Sequence, residues 1–238
     1  MYKNKKIILF AFGSTDLKNS LIRLKKQAEE TNYYDEIKIL NPEDFDIKMK
    51  KKFKEIISFR KNRGYGYWFW KPYFLKRIID EIDDGNIIHY VDVGCHIQNK
   101  NSRFKEYLDL LINQNRWILP FQYSLKDTIF PGDIFFSKRE EFKYTKADLL
   151  DYFTFLNNKN VTHTPQFWAG SFFLVKSSFS IKFLNEWIDI FKKKMNLIDD
   201  SDSQIKNLKG FIENRHDQSV FSLLCKKYEI KSLSAYEC

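Results

Sequence analysis

Short, wholly apolar runs alternate along this chain with stretches whose apolar residues recur every three or four positions. That pairing predicts buried strands between amphipathic helices. Ile7-Ile8-Leu9-Phe10-Ala11-Phe12, ended by Gly13-Ser14, is the first strand-like run. Leu17, Leu21, Leu24 and Ala28 then share one helical face, with Ser14, Thr15 or Asp16 available as its cap. Ile37 to Leu40 predicts a second strand closing a βαβ unit, and Asn41-Pro42-Glu43 a turn. Met49, Phe53, Ile56 and Ile57 keep a helical stripe inside a basic segment from Lys48 to Arg63.

The stretch from Gly64 to Ile97 organises the rest. It reads as an aromatic turn, a helix carrying Phe74, Leu75, Ile78, Ile79 and Ile82, a stop at Gly85, and a buried strand from Ile87 to Val93. Pro72 suits the helix's first turn, where a missing N–H costs nothing. Phe104, Tyr107, Leu108, Leu111 and Ile112 predict a further helix, Trp117 to Phe121 a strand, and Phe130-Pro131-Gly132-Asp133 a turn. Thr145 with Asp148 resembles a capping box for a helix to Leu156, and Asn157 to Thr164 reads as a loop. Ala169-Gly170-Ser171 leads into a strand from Phe172 to Val175, followed by a helix with Phe179, Phe183, Trp187, Ile190 and Phe191. Asp199 to Ser203 is a polar loop. Arg215-His216-Asp217-Gln218 opens a last helix with Val220, Phe221, Leu224 and Tyr228, and Ile230 to Leu233 is a last strand. The alternation predicts one α/β domain over residues 1–238, with a Rossmann-like, mostly parallel central sheet flanked by helices. It reads as two halves, about 1–100 and about 101–238.

At 238 residues, 43% of them apolar, the chain is long enough for a sizeable core. A formal charge of +9 favours anionic partners, and 17% aromatic residues must fill a core or line a cleft. The basic segment from Lys48 reads as a solvated helix face or as a docking surface for an anionic membrane. Cys95, Cys225 and Cys238 cannot all pair with one another, and no secretory apolar segment opens the chain, which points to a reducing cytosol. No apolar run approaches the roughly 20 residues that span a bilayer. The expectation is a cytoplasmic protein, at most peripheral at the inner face of a membrane.

Asp92 is the first residue to suspect, because a carboxylate leaving a buried strand enters the crevice where open α/β sheets bind ligands. Charge there must be compensated by metal, cation or hydrogen bonds; an aspartate capping the next turn is the plainer alternative. His216 and Asp217 stand at a helix start, where capping is again the plainer role. In the run Tyr65 to Pro72, each ring is by itself a core residue, but Lys71 beside a helix start offers a cation with free N–H groups. Gly64 and Gly66 would let backbone approach a ligand. His89 reads as a core histidine. His96 and His163 lack partners at zinc-ligand spacing, Cys95 lacks a His–Asp arrangement, and neither GxGxxG nor a Walker-type loop is present.

The strand IIHYVDVG resembles the segment that carries the D-x-D motif in GT-A fold glycosyltransferases. The order of Lys71, Asp92, Ala169-Gly170 in WAGSFFLV and Asp217-Gln218 in RHDQSVFSLL is similar to that of the glycogenin-like and bacterial lipopolysaccharide galactosyltransferase families. WxWKPY, VDVGC and RHDQ look closest to small transferases of bacterial capsule and lipooligosaccharide gene clusters. The resemblance covers Ile7 to about Tyr228 and implies a GT-A type fold. It also implies transfer of a sugar from a nucleotide-diphosphate donor, a UDP-sugar, to a cell-surface glycan acceptor. Phe10, Ala11, Phe12 and Gly13 would border the base, and Tyr67, Trp70 and Lys71 the diphosphate side of the donor. Asp92, with Val93 and Gly94, would contact ribose or a divalent cation, Mn or Mg. Ala169 and Gly170 would line the sugar pocket, His216 the donor, and Asp217 and Gln218 the sugar near its anomeric carbon. The second aspartate of D-x-D is Gly94 here. His96 or His216 would have to replace it as a metal ligand, or basic side chains would neutralise the diphosphate instead.

Sugar transfer requires stabilisation of a leaving phosphate and of a cationic sugar, by preorganised charge and a nearby carboxylate, here Asp217. The residues do not decide between retention and inversion; the similarity to retaining families points to retention. Two other classes remain open. A nucleotidyltransferase shares the metal logic but wants a glycine-rich basic signature after the first strand. A single-stranded nucleic-acid binder wants aromatics interleaved with basic residues on exposed strands. Here the aromatics fall on apolar helical faces, so no nucleic-acid partner is expected.

Overall fold

A computed structural model describes residues 1–59, 63–123 and 139–237. The predicted Phe130–Asp133 turn and Cys238 lie outside them. Six strands, β1 (Ile7–Phe12), β2 (Glu36–Leu40), β3 (Ile87–Val91), β4 (Ile118–Gln122), β5 (Phe167–Val175) and β6 (Leu233–Ser234), form one sheet in the order β2-β1-β3-β5-β4-β6. β1 is parallel to β2 and to β3, β4 is parallel to β6, and β5 is antiparallel to β3. The helices are α1 (Lys18–Thr31), α2 (Ile47–Phe59), α3 (Gly64–Tyr67), α4 (Trp70–Glu81), α5 (Asn101–Asn113), α6 (Glu141–Tyr144), α7 (Ala147–Tyr152), α8 (Lys159–Thr162), α9 (Ser178–Lys193) and α10 (Asp217–Lys227). The chain is thus a mixed α/β fold with a mostly parallel sheet and flanking helices. It divides into two compact units: Met1–Leu119 with Gly170–Leu184, and Pro120–Ala169 with Asn185–Cys238.

In the first unit β1 is buried on both faces, which is why it reads as an unbroken apolar run. Side chains alternate across a strand, so Leu9 and Ala11 pack with Leu24 and Ala28 of α1 and with Val91. Phe10 and Phe12 point the other way, with ring centroids 6.2 and 5.6 Å from Phe74 of α4. Phe12 also stacks on Trp70 at 4.2 Å. In the second unit the rings of Trp187 on α9 and Phe221 on α10 meet at 5.2 Å. Among the described residues no helix is long and apolar enough to cross a membrane.

Several local expectations change. Ser14 does not cap α1: its hydroxyl bonds the Asp16 carboxylate, and a short 3-10 turn at Thr15–Leu17 precedes the helix. Thr145 and Asp148 form no capping box. Thr145 donates to Glu141 at 2.7 Å, while the Asp148 carboxylate accepts the backbone N–H groups of Gln204 and Ile205 at 2.8 and 2.7 Å. A distant loop and a buried glutamate outbid the local cap. The polar segment 157–164 contains the short α8, capped by Asn158. Ala169 and Gly170 lie inside β5 rather than in a turn before it, and the last strand is only Leu233–Ser234.

His89 is the buried core histidine expected. It is buried in β3, with Nδ1 2.9 Å from the Tyr34 hydroxyl and Nε2 3.1 Å from Ser171 Oγ. Phe173 stacks on its ring at 3.9 Å. Burial disfavours the imidazolium and pushes its pKa down to about 3. Below the unfolded value of 6.5 the unfolded chain takes up a proton that the folded chain does not. Stability therefore falls as pH drops from about 6.5 toward 3. Acidification from pH 7 to pH 5 should cost about 2 kcal/mol through this residue. Urea melts at both pH values should show that loss, and His89→Phe should flatten it; an unchanged pH slope in the variant would contradict the assignment.

Candidate functional site

The first unit concentrates its polar chemistry at the exit of β3. The strand ends at Val91, and Asp92 begins a turn closed by Cys95 N–H donating to the Asp92 carbonyl at 2.9 Å. Antiparallel β5 secures that corner, since Asp92 N–H donates to the Gly170 carbonyl at 2.7 Å. The Asp92 side chain is 37% exposed, whereas that of Lys71 is 2% exposed, with Nζ 3.5 Å from Asp92 Oδ1. Tyr90 donates its hydroxyl to the same oxygen. The lysine ammonium also lies 4.8 Å from the centroid of the Tyr90 ring. Both fixed partners act on Oδ1. No described residue hydrogen-bonds Oδ2, which leaves one carboxylate oxygen to accept from a ligand.

Lys71 reaches this position through a backbone that the sequence only hinted at. Gly64, Tyr65, Gly66, Tyr67 and Trp68 all have positive φ, between 50° and 82°. The first four form α3 and Trp68 is its C-cap, just before α4 begins at Trp70, and for the aromatic members such geometry costs on the order of 1 kcal/mol or more each. Glycine is required at 64, where a Cβ would stand 2.2 Å from the Trp68 ring. These glycines thus serve the turn itself. At the helix start Phe69 N–H donates to Gly66 and Lys71 N–H to Trp68, so the lysine's own N–H is not available to a ligand. Lys71 is therefore a buried counter-ion of Asp92. Tyr67, Trp70, Phe10, Ala11, Phe12 and Gly13 are buried as well, so their rings belong to the core and only their backbone edges remain for a base.

Sequence reasoning missed Arg23 and Gln27. Arg23 on α1 donates to the carbonyls of Val93 and Cys95, both at 2.8 Å, and so clamps the turn that carries Asp92. Gln27, four residues on, lies 3.0 Å from Arg23 and 3.1 Å from His96 Nδ1. The available signal was two long polar side chains at i and i+4 beside the apolar face of α1. Burial, with Asp92's charge behind it, pushes the Cys95 thiol up to about 12, so it is no nucleophile at neutral pH.

In the second unit His216 is the residue before α10, held at φ 52°, ψ −116°, and Asp217 is the helix's first residue. Both are buried, at 1% and 4% exposure. His216 Nδ1 donates to the Ile198 carbonyl at 2.6 Å, and Nε2 faces Asp200 at 3.5 Å. His216, the N-cap residue, makes no side-chain cap hydrogen bond. Gln218 is half-buried and donates to Gln166 at 2.8 Å.

A divalent cation finds few ligands among these residues. Gly94 supplies no ligand, although a Cβ there would meet nothing within 4 Å. Among the described residues no group of three or more His, Cys, Asp or Glu could hold an ion. With Lys71 already compensating Asp92, the residues described do not fit a resident metal, and no step is assigned to one.

No protein-family model matches the chain, and no curated protein matches it. Among solved structures it is similar to the glycosyltransferase GlyE of Streptococcus pneumoniae, at 13% identity and a TM-score of 0.47, covering 98% of this chain and 45% of that one. The chain thus spans under half the length of that protein. It is also similar to mouse xyloside xylosyltransferase 1, at 10% identity and TM-score 0.48, covering 97% and 84%. A third likeness is to the galactosyltransferase LgtC with donor and acceptor sugar analogues, at 13% identity and TM-score 0.44, covering 92% and 70%. At TM-scores below one half, none of these assigns a residue role.

The exposure difference within the Lys71–Asp92 pair sets the response to its disruption. Asp92→Ala removes a carboxylate from a buried ammonium and should cost up to about 3 kcal/mol. Lys71→Met leaves a carboxylate that reaches water and should cost less than about 1 kcal/mol. Urea denaturation of both variants checks the order; a Lys71→Met loss equal to or greater than that of Asp92→Ala would contradict the described burial.

Proposed function

We propose that this chain is a glycosyltransferase that moves a sugar from a nucleotide-diphosphate donor, a UDP-sugar, to a glycan acceptor of a cell surface such as capsule or lipooligosaccharide. One observation carries the reading: Lys71 and Tyr90 hold Asp92 at the mouth of β3 with one carboxylate oxygen left to accept a hydroxyl. This is the place where the V-D-V-G segment resembles the donor-binding motif of GT-A enzymes. A charge-compensated carboxylate with one open oxygen suits hydroxyls of a ribose or sugar, which donate without bringing charge.

In this reading Asp92 orients the donor and Arg23 holds the turn beneath it. Asp217 and Gln218 contact the sugar near its anomeric carbon, where a carboxylate stabilises developing positive charge. Ala169 and Gly170 contribute small surfaces to the sugar pocket. Single-stranded nucleic-acid binding gains nothing from the structure. Among the described residues the exposed aromatic rings are Trp117 and Tyr152 alone, too few for a run of stacked bases.

A thermal-shift titration with UDP, UDP-glucose and UDP-galactose, in Mn²⁺ and again in EDTA, tests the proposal. At least one should raise the melting temperature, and Asp92→Ala should remove the shift. Asp217→Asn should keep the UDP shift while slowing donor turnover on the order of 100-fold. A flat response to every nucleotide in both buffers would contradict the reading.

A further inference from the structure

Buried side chains of the second unit decide which end of Gln218 faces outward. Glu141 is fully enclosed, and a carboxylate can only accept. Its Oε1 accepts from Ser222 Oγ and lies 3.0 Å from Lys226 Nζ, while Oε2 accepts from Thr145 Oγ1 at 2.7 Å. Ser219 Oγ donates to the Tyr144 carbonyl at 2.7 Å. One end of the Gln166 side-chain amide, also fully enclosed, enters this set. It stands 3.1 Å from Glu141 Oε2, 3.0 Å from Thr145 Oγ1, 3.3 Å from the Tyr144 carbonyl and 3.4 Å from Ser219 Oγ.

All four neighbours offer lone pairs: a carboxylate, a carbonyl, and two hydroxyls whose protons are committed elsewhere. Only the NH₂ end of Gln166 fits there, because the reverse orientation would aim an amide oxygen at a carboxylate. The other end of Gln166 is therefore Oε1, 2.8 Å from the side chain of Gln218. Gln218 must meet that oxygen with Nε2, and its own Oε1 is the end left over. No described residue donates to that oxygen. The backbone of Gln166 is pinned as well, its N–H to the Arg139 carbonyl at 2.7 Å and its carbonyl to Tyr123 N–H at 3.1 Å.

We propose that Glu141, acting through Gln166, fixes the amide polarity of Gln218, so that the end of Gln218 turned away from Gln166 is its carbonyl oxygen, which takes a hydroxyl donor from the ligand. Glu141 and Gln166 are positioning residues in this scheme. The polarity follows from the hydrogen bonds alone; naming the ligand group as a sugar hydroxyl rests on the proposed sugar transfer.

Hydrogen exchange of side-chain amides in the ¹⁵N-glutamine-labelled full chain tests it. The wild type should show a slowly exchanging Gln218 NH₂, assigned by its disappearance in Gln218→Glu. Gln166→Leu should speed that exchange at least tenfold, and so should Glu141→Gln, which lets Gln166 reverse and serves if Gln166→Leu does not fold. Equal exchange in wild type and variant overturns the proposal. Turnover reads the consequence: hydrolysis of UDP-glucose or UDP-galactose should lose at least tenfold in kcat in the positioning variant with KM within twofold. Leu224→Ala, a core truncation elsewhere on α10, should leave kcat within twofold; an equal loss there overturns the positioning role. A slow Gln218 amide in a protein that hydrolyses neither donor upholds the polarity and contradicts the sugar-transfer reading.

Discussion

A buried ammonium facing a half-exposed carboxylate is the constraint from which the first unit's functional features follow. An ionised lysine is not tolerated at that depth without a partner, so Lys71 and Asp92 must be brought together by elements far apart in sequence. α4 supplies the lysine, β3 the aspartate, and β5 fixes the corner through the Gly170 carbonyl. Arg23 holds the following turn by two carbonyls. The left-handed run from Gly64 to Trp68 is the cost of directing Lys71 inward at the first turn of α4. Several unfavourable backbone conformations persist there because the packed aromatic cluster around Phe12, Phe45, Trp70 and Phe74 over-determines them.

The second unit solves a different problem by similar means. It encloses Glu141 and Lys226 together and saturates the carboxylate with hydroxyl and amide donors. Such a network contributes little net stability compared with an apolar core, but breaking it exposes the full desolvation cost of each member. What it provides is direction. A chain of groups that can each donate or accept in only one sense ends at Gln218, one residue after the buried Asp217.

Much of the frame was legible in the sequence because it follows from periodicity. β1, the α4 face of Phe74, Leu75, Ile78 and Ile79, and the α5 face of Phe104, Tyr107, Leu108 and Leu111 each stand where the apolar spacing puts them. Asp92 was legible too, as a carboxylate closing an apolar strand. The burial of Lys71 was not, since a lysine in an aromatic run reads as a cation offered to solvent. Arg23, Gln27 and Gln166 were illegible for the same reason: such polar side chains announce themselves through partners 21 to 72 residues away. Local rules also failed where a distant partner was stronger, as with Thr145, drawn to Glu141, and Asp148, drawn to the backbone of Gln204 and Ile205. Antiparallel β5 escaped because a strand buried on both faces reads alike in either direction.

Under the proposed function, the turn after β3 holds a nucleotide sugar through the open oxygen of a lysine-compensated Asp92. Backbone amide chemical shifts followed during titration with UDP address it most directly. The account predicts that the largest changes fall on the amides from Asp92 to Cys95 and that they vanish in Asp92→Asn. Changes confined to other parts of the chain, with those four amides unmoved at saturating UDP, would contradict it.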